Sequence, residues 1–225
     1  MKISIAIDGP SGCGKSTVAK EFASRTGLYY IDTGAMYRAI ALYFLGNSLD
    51  ILDENVIINH IDNIELDVKY NFNNQIIFLN GEDVTNRLRE NYISQGASKV
   101  SIFKSVRDKL IKIQQKIAED NNIIMDGRDI GTVVLPNAQL KIYLTASVEE
   151  RANRRKQELI ELGQNISYDK IKQEIIERDE RDINRKISPL KKAEDAIVID
   201  TSNISKLEVI DIIYKLGADK KLWKY

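Results

Sequence analysis

A glycine-rich segment near the amino terminus has the residue pattern of a phosphate-binding loop. The segment reads GPSGCGKST over residues 9–17 and contains Gly-x-x-x-x-Gly-Lys-Ser. Its glycines let backbone N–H groups converge on an anion, its lysine reaches the outer phosphates of a nucleotide, and its serine hydroxyl can ligate Mg²⁺. The pattern therefore predicts binding of a nucleoside triphosphate. The residues predicted to bind it are Gly9, Pro10, Ser11, Gly12, Cys13, Gly14, Lys15, Ser16 and Thr17.

Several classes of nucleotide-binding protein share this loop, so the loop alone leaves the reaction open. A GTPase would carry an Asn-Lys-x-Asp motif and an ABC-type ATPase would carry Leu-Ser-Gly-Gly-Gln, and the sequence contains neither. A small-molecule kinase is favoured, and the alternative from another class is a nucleotide-driven switch or assembly factor. A kinase must hold an acceptor, and arginines that face the loop would indicate an acceptor that is itself a phosphate.

Arginines at helical spacing are candidates for that second anion site. In the run ERDERDINR, Arg178, Arg181 and Arg185 stand at i, i+3 and i+7, with Asp182 in the same stripe. A similar cluster one predicted helix earlier contains Arg151, Arg154 and Arg155. Interleaved acidic residues leave a solvated salt-bridge face as the alternative, and the phosphate loop favours ligand binding.

The hydrophobic pattern predicts the elements that position these residues. Short β-rich runs alternate with helical patterns, which is typical of an α/β protein with a parallel sheet flanked by helices. The predicted strands span residues 2–7, 29–31, 123–125, 140–144 and 196–199. The predicted helices span residues 15–26, 35–45, 92–100, 105–119 and 148–186, the last with a turn near residues 163–167.

Residues 65–84 interrupt this alternation. They contain two β-rich runs around residues 71–74, followed by an Asn-Gly turn at residues 80–81. We interpret the segment as a small antiparallel sheet inserted into the parallel fold.

Three charged residues lie shortly after predicted strands. Arg38 comes after the turn at residues 32–34, and Arg128 and Asp129 come after the strand at residues 123–125. Open parallel sheets bind ligands beyond the carboxyl ends of their strands, so these side chains are candidate ligand contacts.

Composition limits the class of protein. The chain has 225 residues, 43% of them hydrophobic, and 33 basic against 33 acidic residues, so its overall charge does not indicate nucleic acid or a membrane surface as the main partner. The single cysteine cannot form an internal disulfide, and no stretch reaches the roughly 18 apolar residues of a membrane helix. We expect a cytoplasmic protein.

Five segments occur in the order and at the separations of a known family. They are GPSGCGKST, DTGAMYR, SKVSIFKSVRDKL, DGRDIGTVV and ERDERDINR. On these segments the chain resembles the bacterial cytidylate kinases, from Ile3 to about Ser202. The resemblance implies transfer of a phosphoryl group from ATP, with Mg²⁺, to CMP or dCMP by a monomeric enzyme.

The resemblance also implies a fold and its division. We expect a P-loop kinase with a parallel-sheet core, a monophosphate-binding insert that contains the small antiparallel sheet, and a helical lid that bears arginines. The single kinase domain would cover residues 1–225, with the core at about 1–60, 120–150 and 190–225, the insert at about 61–119 and the lid at about 151–187.

Roles of individual residues follow from the same resemblance. The expected catalytic residues are Lys15, Arg128 and Arg178. Cytosine would be contacted by Ser98, Arg107 and Asp129. The ribose and phosphate of CMP would be held by Thr33, Arg38, Arg128, Asp182 and Arg185, with Arg178 between donor and acceptor phosphates. We expect Mg²⁺ to be held through Ser16 and a nearby carboxylate such as Asp32.

The cytosine contacts are chemically reasonable. Cytosine presents an amine donor beside a ring-nitrogen acceptor, which a carboxylate from Asp129 and a guanidinium from Arg107 complement. Uracil would turn a carbonyl oxygen towards that carboxylate, so UMP is disfavoured.

One segment departs from the family pattern. Relatives usually carry a proline before the Val-Arg of the Arg107 segment, where this chain has Lys104 and Ser105. Ser98 and Arg107 are nine residues apart, so on one straight helix they would not face the same ligand. We expect a helix break near Phe103, with Ser105 as the cap.

Cys13 lies within the phosphate loop, beside Lys15. Convergent amides at a helix start and a nearby ammonium lower the pKa of a thiol. The sequence therefore predicts a thiol whose alkylation inactivates the protein and which bound ATP protects.

Overall fold

Eight strands and eight α-helices lie in the part of the chain that the computed structural model describes, which is residues 2–71, 74–161 and 163–223. The strands are β1 (Ser4–Asp8), β2 (Tyr29–Asp32), β3 (Leu66–Asn71), β4 (Asn74–Leu79), β5 (Glu82–Asp83), β6 (Ile123–Gly127), β7 (Leu140–Thr145) and β8 (Ile197–Asp200). The helices are α1 (Lys15–Thr26), α2 (Thr33–Gly46), α3 (Glu54–Ile61), α4 (Asn91–Val100), α5 (Lys104–Asp120), α6 (Val148–Glu161), α7 (Tyr168–Asn184) and α8 (Lys206–Asp219).

The central sheet has five parallel strands in the order β2-β6-β1-β7-β8. Each predicted strand is present, with ends that differ by at most two residues, and the predicted α/β class is confirmed. The strands are mostly apolar, as expected where helices cover both faces of a sheet, and β6 is buried along its whole length.

The connections on the two sides of β1 place a ligand crevice at the carboxyl ends of the parallel strands. The chain leaves β1 through α1 to reach β2 on one side, whereas β7 pairs with β1 on the other side. In such a doubly wound sheet, ligands bind where the strand order reverses, outside the carboxyl ends of the strands. Asp8, Asp32 and Asp126 all stand at those ends. Asp32 on β2 pairs with Asp126 on β6, and Asp8 on β1 is one residue beyond the position that pairs with Asp126.

The second sheet is antiparallel, in the order β3-β4-β5, as the sequence predicts. Asn80 and Gly81 form its second turn with positive φ angles of 49° and 82°, which the twist of a tight hairpin requires. The first predicted turn includes residues 72 and 73, which lie outside the described residues. Gln75 ties this sheet to the crevice, because its side chain accepts from Asp32 N at 2.7 Å and donates to Asp32 O at 3.2 Å.

The break between α4 and α5 occurs where the sequence predicts it, but Ser105 is not its cap. The cap residue of α5 is Phe103, which forms no side-chain hydrogen bond, and Ser105 Oγ is buried without a partner among the residues that the structure describes. At the end of α4, the Ser101 hydroxyl donates to the carbonyl of Ser98 at 2.9 Å. A serine hydroxyl that bonds a nearby backbone carbonyl competes with helix continuation, and this contact accompanies the break.

Three hydrophobic clusters stabilise the part of the fold that the structure describes. One lies between the sheet and α2 to α5, and another packs α1 and α8 on the opposite face. The third lies between α6 and α7 alone and consists of Ala152, Leu159, Ile171 and Ile175. The α6–α7 hairpin thus has its own small core. Among the described residues, no helix has both the length and the apolar character needed to cross a membrane.

Candidate active site

The phosphate loop connects β1 to α1 in a backbone shape that needs glycine. A Cβ atom on Gly9 would lie 2.0 Å from the carbonyl oxygen of Leu144 on β7. Gly14 precedes α1 with φ of 92°, in the left-handed region that side chains rarely adopt. The loop therefore leads into the positive end of α1, which is the geometry of an anion site.

Lys15 lies at the start of α1 and is folded back into this loop. Its ammonium donates to the carbonyl of Pro10 at 2.6 Å, and Lys15 as a whole is only 5% exposed. Burial lowers the pKa of Lys15, and the positive charge of Arg128 lowers it further. An anion bound in the loop would offset both effects.

Ser16 faces a carboxylate that the sequence-based prediction did not select. Its hydroxyl donates to Asp126 Oδ2 at 2.8 Å, while the Tyr30 hydroxyl donates to Asp126 Oδ1 at 3.0 Å. Burial and the negative charge of Asp32 raise the pKa of Asp126 to about 6. The sequence signal for Asp126 is its position directly after the apolar run IIM. A carboxylate at the end of a central strand points into the ligand crevice.

Asp32, the predicted metal ligand, has other partners in the structure. It caps α2 by accepting from Ala35 N at 2.9 Å and forms an ion pair with Arg38 at 2.8 Å. Asp32 and Asp126 occupy paired positions on β2 and β6, so both carboxylates border the space beside Ser16. Of the two, Asp126 contacts the Ser16 hydroxyl directly.

Asp8 holds the segment that carries Arg128 and Asp129. Its carboxylate accepts from Ile130 N at 2.8 Å and from Gly131 N at 2.7 Å, at the start of the π-helical turn Ile130–Val134. Burial raises the pKa of Asp8 to about 6, although these two hydrogen bonds oppose the increase. Asp8 thus fixes the segment after β6 relative to the phosphate loop.

Cations from separate elements converge at the crevice. Arg178 on α7 has a buried Nε atom with no hydrogen-bond partner among the described residues. Burial and the positive charge of Arg128 lower the pKa of Arg178 to about 10, with Arg38 as a further repelling charge. The ammonium of Lys15 is repelled in turn by Arg128 and Arg178. Like charges held this close favour binding of a multivalent anion between them.

One face of α7 contacts the core and α4 through charged side chains. Asp182 accepts from Arg128 Nε at 2.9 Å, and Arg185 lies 3.4 Å from Asp129 Oδ1. Arg181 Nη1 donates to Ser98 Oγ at 2.9 Å. The predicted stripe on α7 is therefore a contact surface, and the alternative of a fully solvated salt-bridge face is not what the structure contains.

Arg107 and Asp129 form a buried ion pair. Their side chains are 1% and 6% exposed, and Arg107 also donates to the carbonyl of Ser101 at 3.3 Å. The guanidinium lies 5.6 Å from the ring centre of Tyr37, while Arg107 Nε has no partner among the described residues. The guanidinium is a buried hydrogen-bond donor, and the carboxylate beside it is an acceptor. The pair can bind a planar group that presents an acceptor and a donor side by side.

The structure thus brings most of the predicted site residues into one crevice. Thr33 joins them by donating to the carbonyl of Asp126 at 2.7 Å. The residues with side chains at the crevice that the sequence analysis left without a role are Asp8, Tyr30 and Asp126. Apart from the position of Asp126 after an apolar run, their spacing carries no distinct signal.

Cys13 is fully buried in the cluster that contains α1 and α8. Its Sγ atom is 3.6 Å from Lys15 Nζ, as the sequence-based hypothesis of a nearby ammonium requires. The burial opposes ready access by an alkylating reagent.

Comparison with known proteins identifies the family. A family model described as cytidylate kinase matches residues 5–218 of the chain. A cytidylate kinase from Caldicellulosiruptor saccharolyticus is 49% identical over 215 residues, which cover 96% of this chain and 95% of that protein. One from Bacillus subtilis is 47% identical and covers 97% of this chain and 98% of that protein. An uncharacterized protein of known structure from Eubacterium ventriosum shares the fold, with a TM-score of 0.55 at 12% identity over 96% of this chain and 98% of that chain. The resemblance noted from the five segments is thereby confirmed, and this chain belongs to the cytidylate kinase family.

Proposed function

We propose that the chain transfers the γ-phosphoryl group of ATP to CMP or dCMP and releases ADP with CDP or dCDP. The observation that carries the proposal is the convergence of Lys15, Arg128 and Arg178 beside the phosphate loop, in a chain whose relatives are cytidylate kinases. The cluster supplies charge for both donor and acceptor phosphates. A switch protein would need only the donor site.

The donor phosphates would lie in the loop at residues 9–17, with Lys15 turned from the Pro10 carbonyl towards them. The Ser16 hydroxyl and the Asp126 carboxylate suit Mg²⁺, which prefers oxygen ligands and keeps water or phosphate oxygens at its other positions. No cluster of three His, Cys, Asp or Glu side chains able to hold a metal occurs among the described residues, in keeping with a metal held largely by the nucleotide. When bound, Mg²⁺ would neutralise the phosphate charge and orient the nucleotide.

The acceptor base would enter the pocket of Ser98, Arg107 and Asp129. The exocyclic amine of cytosine would donate to Asp129, and the ring nitrogen would accept from Arg107, whose Nε has no partner within the described part of the chain. The phosphate of CMP would lie towards Arg38, Arg128 and Arg185.

Transfer in this site would need no general base. The acceptor phosphate loses its second proton near a pKa of about 6, so its oxygen is already an anion at neutral pH. The residues then act by holding the two phosphates in line and by neutralising charge on the transferring group, which we assign to Arg178 and Arg128.

Exclusion of water is the remaining requirement, because water would accept the same phosphoryl group. We assign it to residues 151–187 as a lid, since α6 and α7 share a small core of their own and close over the crevice through the charged face of α7. The insert at 61–119 and the core at 1–60, 120–150 and 190–225 complete the single domain, which would act as a cytoplasmic monomer.

A coupled assay with ATP, Mg²⁺ and a panel of monophosphates tests the proposal. We expect fast turnover of CMP and dCMP and slow turnover of UMP and AMP. Fast turnover of another monophosphate would assign a different kinase specificity. ATP hydrolysis that is independent of any acceptor would instead support the nucleotide-driven switch.

A further inference from the structure

Asp8 binds the segment after β6 but has no part in the reaction proposed above. It is the last residue of β1, where its backbone pairs with Gly127 on β6 and Tyr143 on β7, and it is 3% exposed. Its two carboxylate oxygens accept from Ile130 N at 2.8 Å and from Gly131 N at 2.7 Å. The carboxylate thus acts from the middle strand of the sheet, whose position the strands on both sides fix.

These two N–H groups begin the π-helical turn after β6 and need an acceptor from outside it. Within the turn, the Asp129 carbonyl accepts from Val133 N at 2.9 Å and from Val134 N at 3.2 Å. The N–H groups of the first residues of a helical turn have no partner inside it. Ile130 and Gly131 are buried, so water does not replace the missing acceptor. The carboxylate from β1 therefore caps the turn.

The residue that would ordinarily cap this turn is Asp129, which directly precedes it. Aspartate is a preferred cap residue, because its side chain accepts from N–H groups of the first turn. Asp129 forms no such bond, and its carboxylate contacts the guanidinium groups of Arg107 and Arg185 instead. Two of the N–H groups that would attract it are already bonded to Asp8. Because those N–H groups are occupied, the carboxylate of Asp129 stays directed at Arg107.

We propose that Asp8 is a positioning residue for the acceptor base, which caps the turn in place of Asp129 and so keeps the Asp129 carboxylate beside Arg107. Without Asp8, two buried N–H groups would lack an acceptor, and Asp129 would supply one by turning towards them. Such a rotation would withdraw the acceptor that we assign to the exocyclic amine of cytosine. This inference rests on the assignment of Asp129 to the base pocket in the proposed function.

The test measures calorimetric Kd values for CMP and for ATP in the wild type, Asp8→Asn and Asp8→Ala. Measurements at pH 8 lie above the raised pKa of Asp8 of about 6, so the wild-type carboxyl is ionised. The amide of Asp8→Asn keeps one acceptor, and we expect the Kd of CMP to rise about tenfold, as for the loss of one buried hydrogen bond. Asp8→Ala keeps none and should raise it about 10²-fold. The Kd of ATP should stay within about threefold in Asp8→Asn, because the phosphate loop and Lys15 remain.

The direction of the change separates positioning from simple electrostatics. Asp8→Asn removes a negative charge that acts on Lys15, beside a site for phosphates, and this alone would tighten the binding of both nucleotides. Weaker binding of CMP therefore requires a change in geometry. In the Asp129→Ala background, Asp8→Asn should change the Kd of CMP by less than about threefold, because the carboxylate to be positioned is absent. A tenfold rise that persists in that background would rule out a route through Asp129.

Asp53→Asn serves as the matched control, because Asp53 is an exposed carboxylate that caps α3 by accepting from Asn55 N at 2.8 Å. It should leave both Kd values unchanged. Far-UV circular dichroism and the Tm of each variant check that it folds. An unchanged Kd of CMP in folded Asp8→Asn, or an equal rise for CMP and ATP, would overturn the proposal. Turnover of CMP by the wild type would still support the proposed function.

Hydrogen exchange of the wild-type protein provides a test that does not depend on any variant. The amides of Ile130 and Gly131 should be protected in the free protein. Saturating CMP should slow their exchange about tenfold further, because a bound base holds the adjacent Asp129 carboxylate in place. Exchange at these two amides that CMP leaves unchanged would contradict the proposal even if no variant of Asp8 folds.

Discussion

The hydroxyl of Ser16 on α1 donates a hydrogen bond of 2.8 Å to Oδ2 of Asp126 at the end of β6, across 110 residues of sequence. This bond joins the phosphate loop to the central strand of the crevice. It also places a carboxylate oxygen beside the hydroxyl that the loop motif assigns to Mg²⁺. The neighbouring carboxylate of Asp32 is instead engaged by Arg38 and by the first turn of α2.

Asp126→Asn should therefore weaken the response of the enzyme to Mg²⁺. The amide keeps a similar shape but loses the charge that favours a divalent cation, so we expect the Mg²⁺ concentration at half-maximal activity to rise about tenfold. The measurement is a titration of activity with Mg²⁺ at saturating ATP and CMP. Asp32→Asn is the matched control, and a larger rise in that variant would support Asp32 as the ligand, as the sequence analysis predicts.

Arg178→Ala should lower kcat by about 10³-fold, because a guanidinium aimed at the transferring phosphoryl group stabilises mainly the transition state. The Kd of ATP should change by less than about threefold, since Lys15 and the loop remain. Stopped-flow turnover and calorimetric titration with ATP measure the two quantities.

Two further variants define the role of Arg178. Arg178→Lys keeps the charge without the planar fork and should fall between wild type and Arg178→Ala. Arg25→Ala removes an exposed arginine that pairs with Glu21 on α1 and should leave kcat unchanged. Near-normal turnover in Arg178→Ala would mean that other cations stabilise the transferring phosphoryl group.

The pKa of Asp8 predicts a pH dependence of stability. Burial, with the charge of Asp129 adding to it and that of Lys15 opposing it, raises the pKa of the folded carboxyl from 3.8 to about 6. Between about pH 4 and pH 6 the folded carboxyl thus holds a proton that the unfolded carboxyl has lost. The contribution of this protonation to the free energy of unfolding is fully present below about pH 4 and is lost as the pH rises through about 6. The pKa shift corresponds to about 3 kcal/mol of that free energy.

Asp8→Asn removes this titration. Urea denaturation between pH 4 and pH 7 should therefore show that the difference in unfolding free energy, wild type minus variant, falls as the pH rises. Asp126, whose pKa is also raised to about 6, is present in both proteins and cancels in the difference. A pH-independent difference would mean that Asp8 stays ionised throughout.

The burial of Cys13 predicts slow alkylation in the native protein. Its 0% exposure requires the phosphate loop to open first, so iodoacetamide should react about 10²-fold more slowly than with the urea-unfolded chain. ATP with Mg²⁺ should slow the reaction further by holding the loop closed. Mass spectrometry of the modified fraction measures the rates, and Cys13→Ala should retain activity and remain unmodified. Native alkylation as fast as that of the unfolded chain would show that the loop opens freely.

Much of the fold could be predicted from local pattern. Buried parallel strands are short apolar runs bounded by helical periods, and the Asn-Gly turn at Asn80 and Gly81 requires positive φ angles that few residues adopt. The helix break before Arg107 was also predictable, because no straight helix brings Ser98 and Arg107 to one ligand. The prediction that Ser105 caps α5 was wrong, because the cap position is Phe103, which forms no side-chain hydrogen bond.

The phosphate loop, the alternation that builds the sheet and the family can all be read from local segments, because each depends on residues close together within a motif. Which side chains meet follows from the packing of the folded chain. Asp126 rather than Asp32 contacts Ser16 because neighbouring strands of a parallel sheet are brought together by long crossovers, and Arg181 reaches Ser98 because α7 docks on α4. Such contacts depend on packing between distant segments, and no spacing along the chain encodes them.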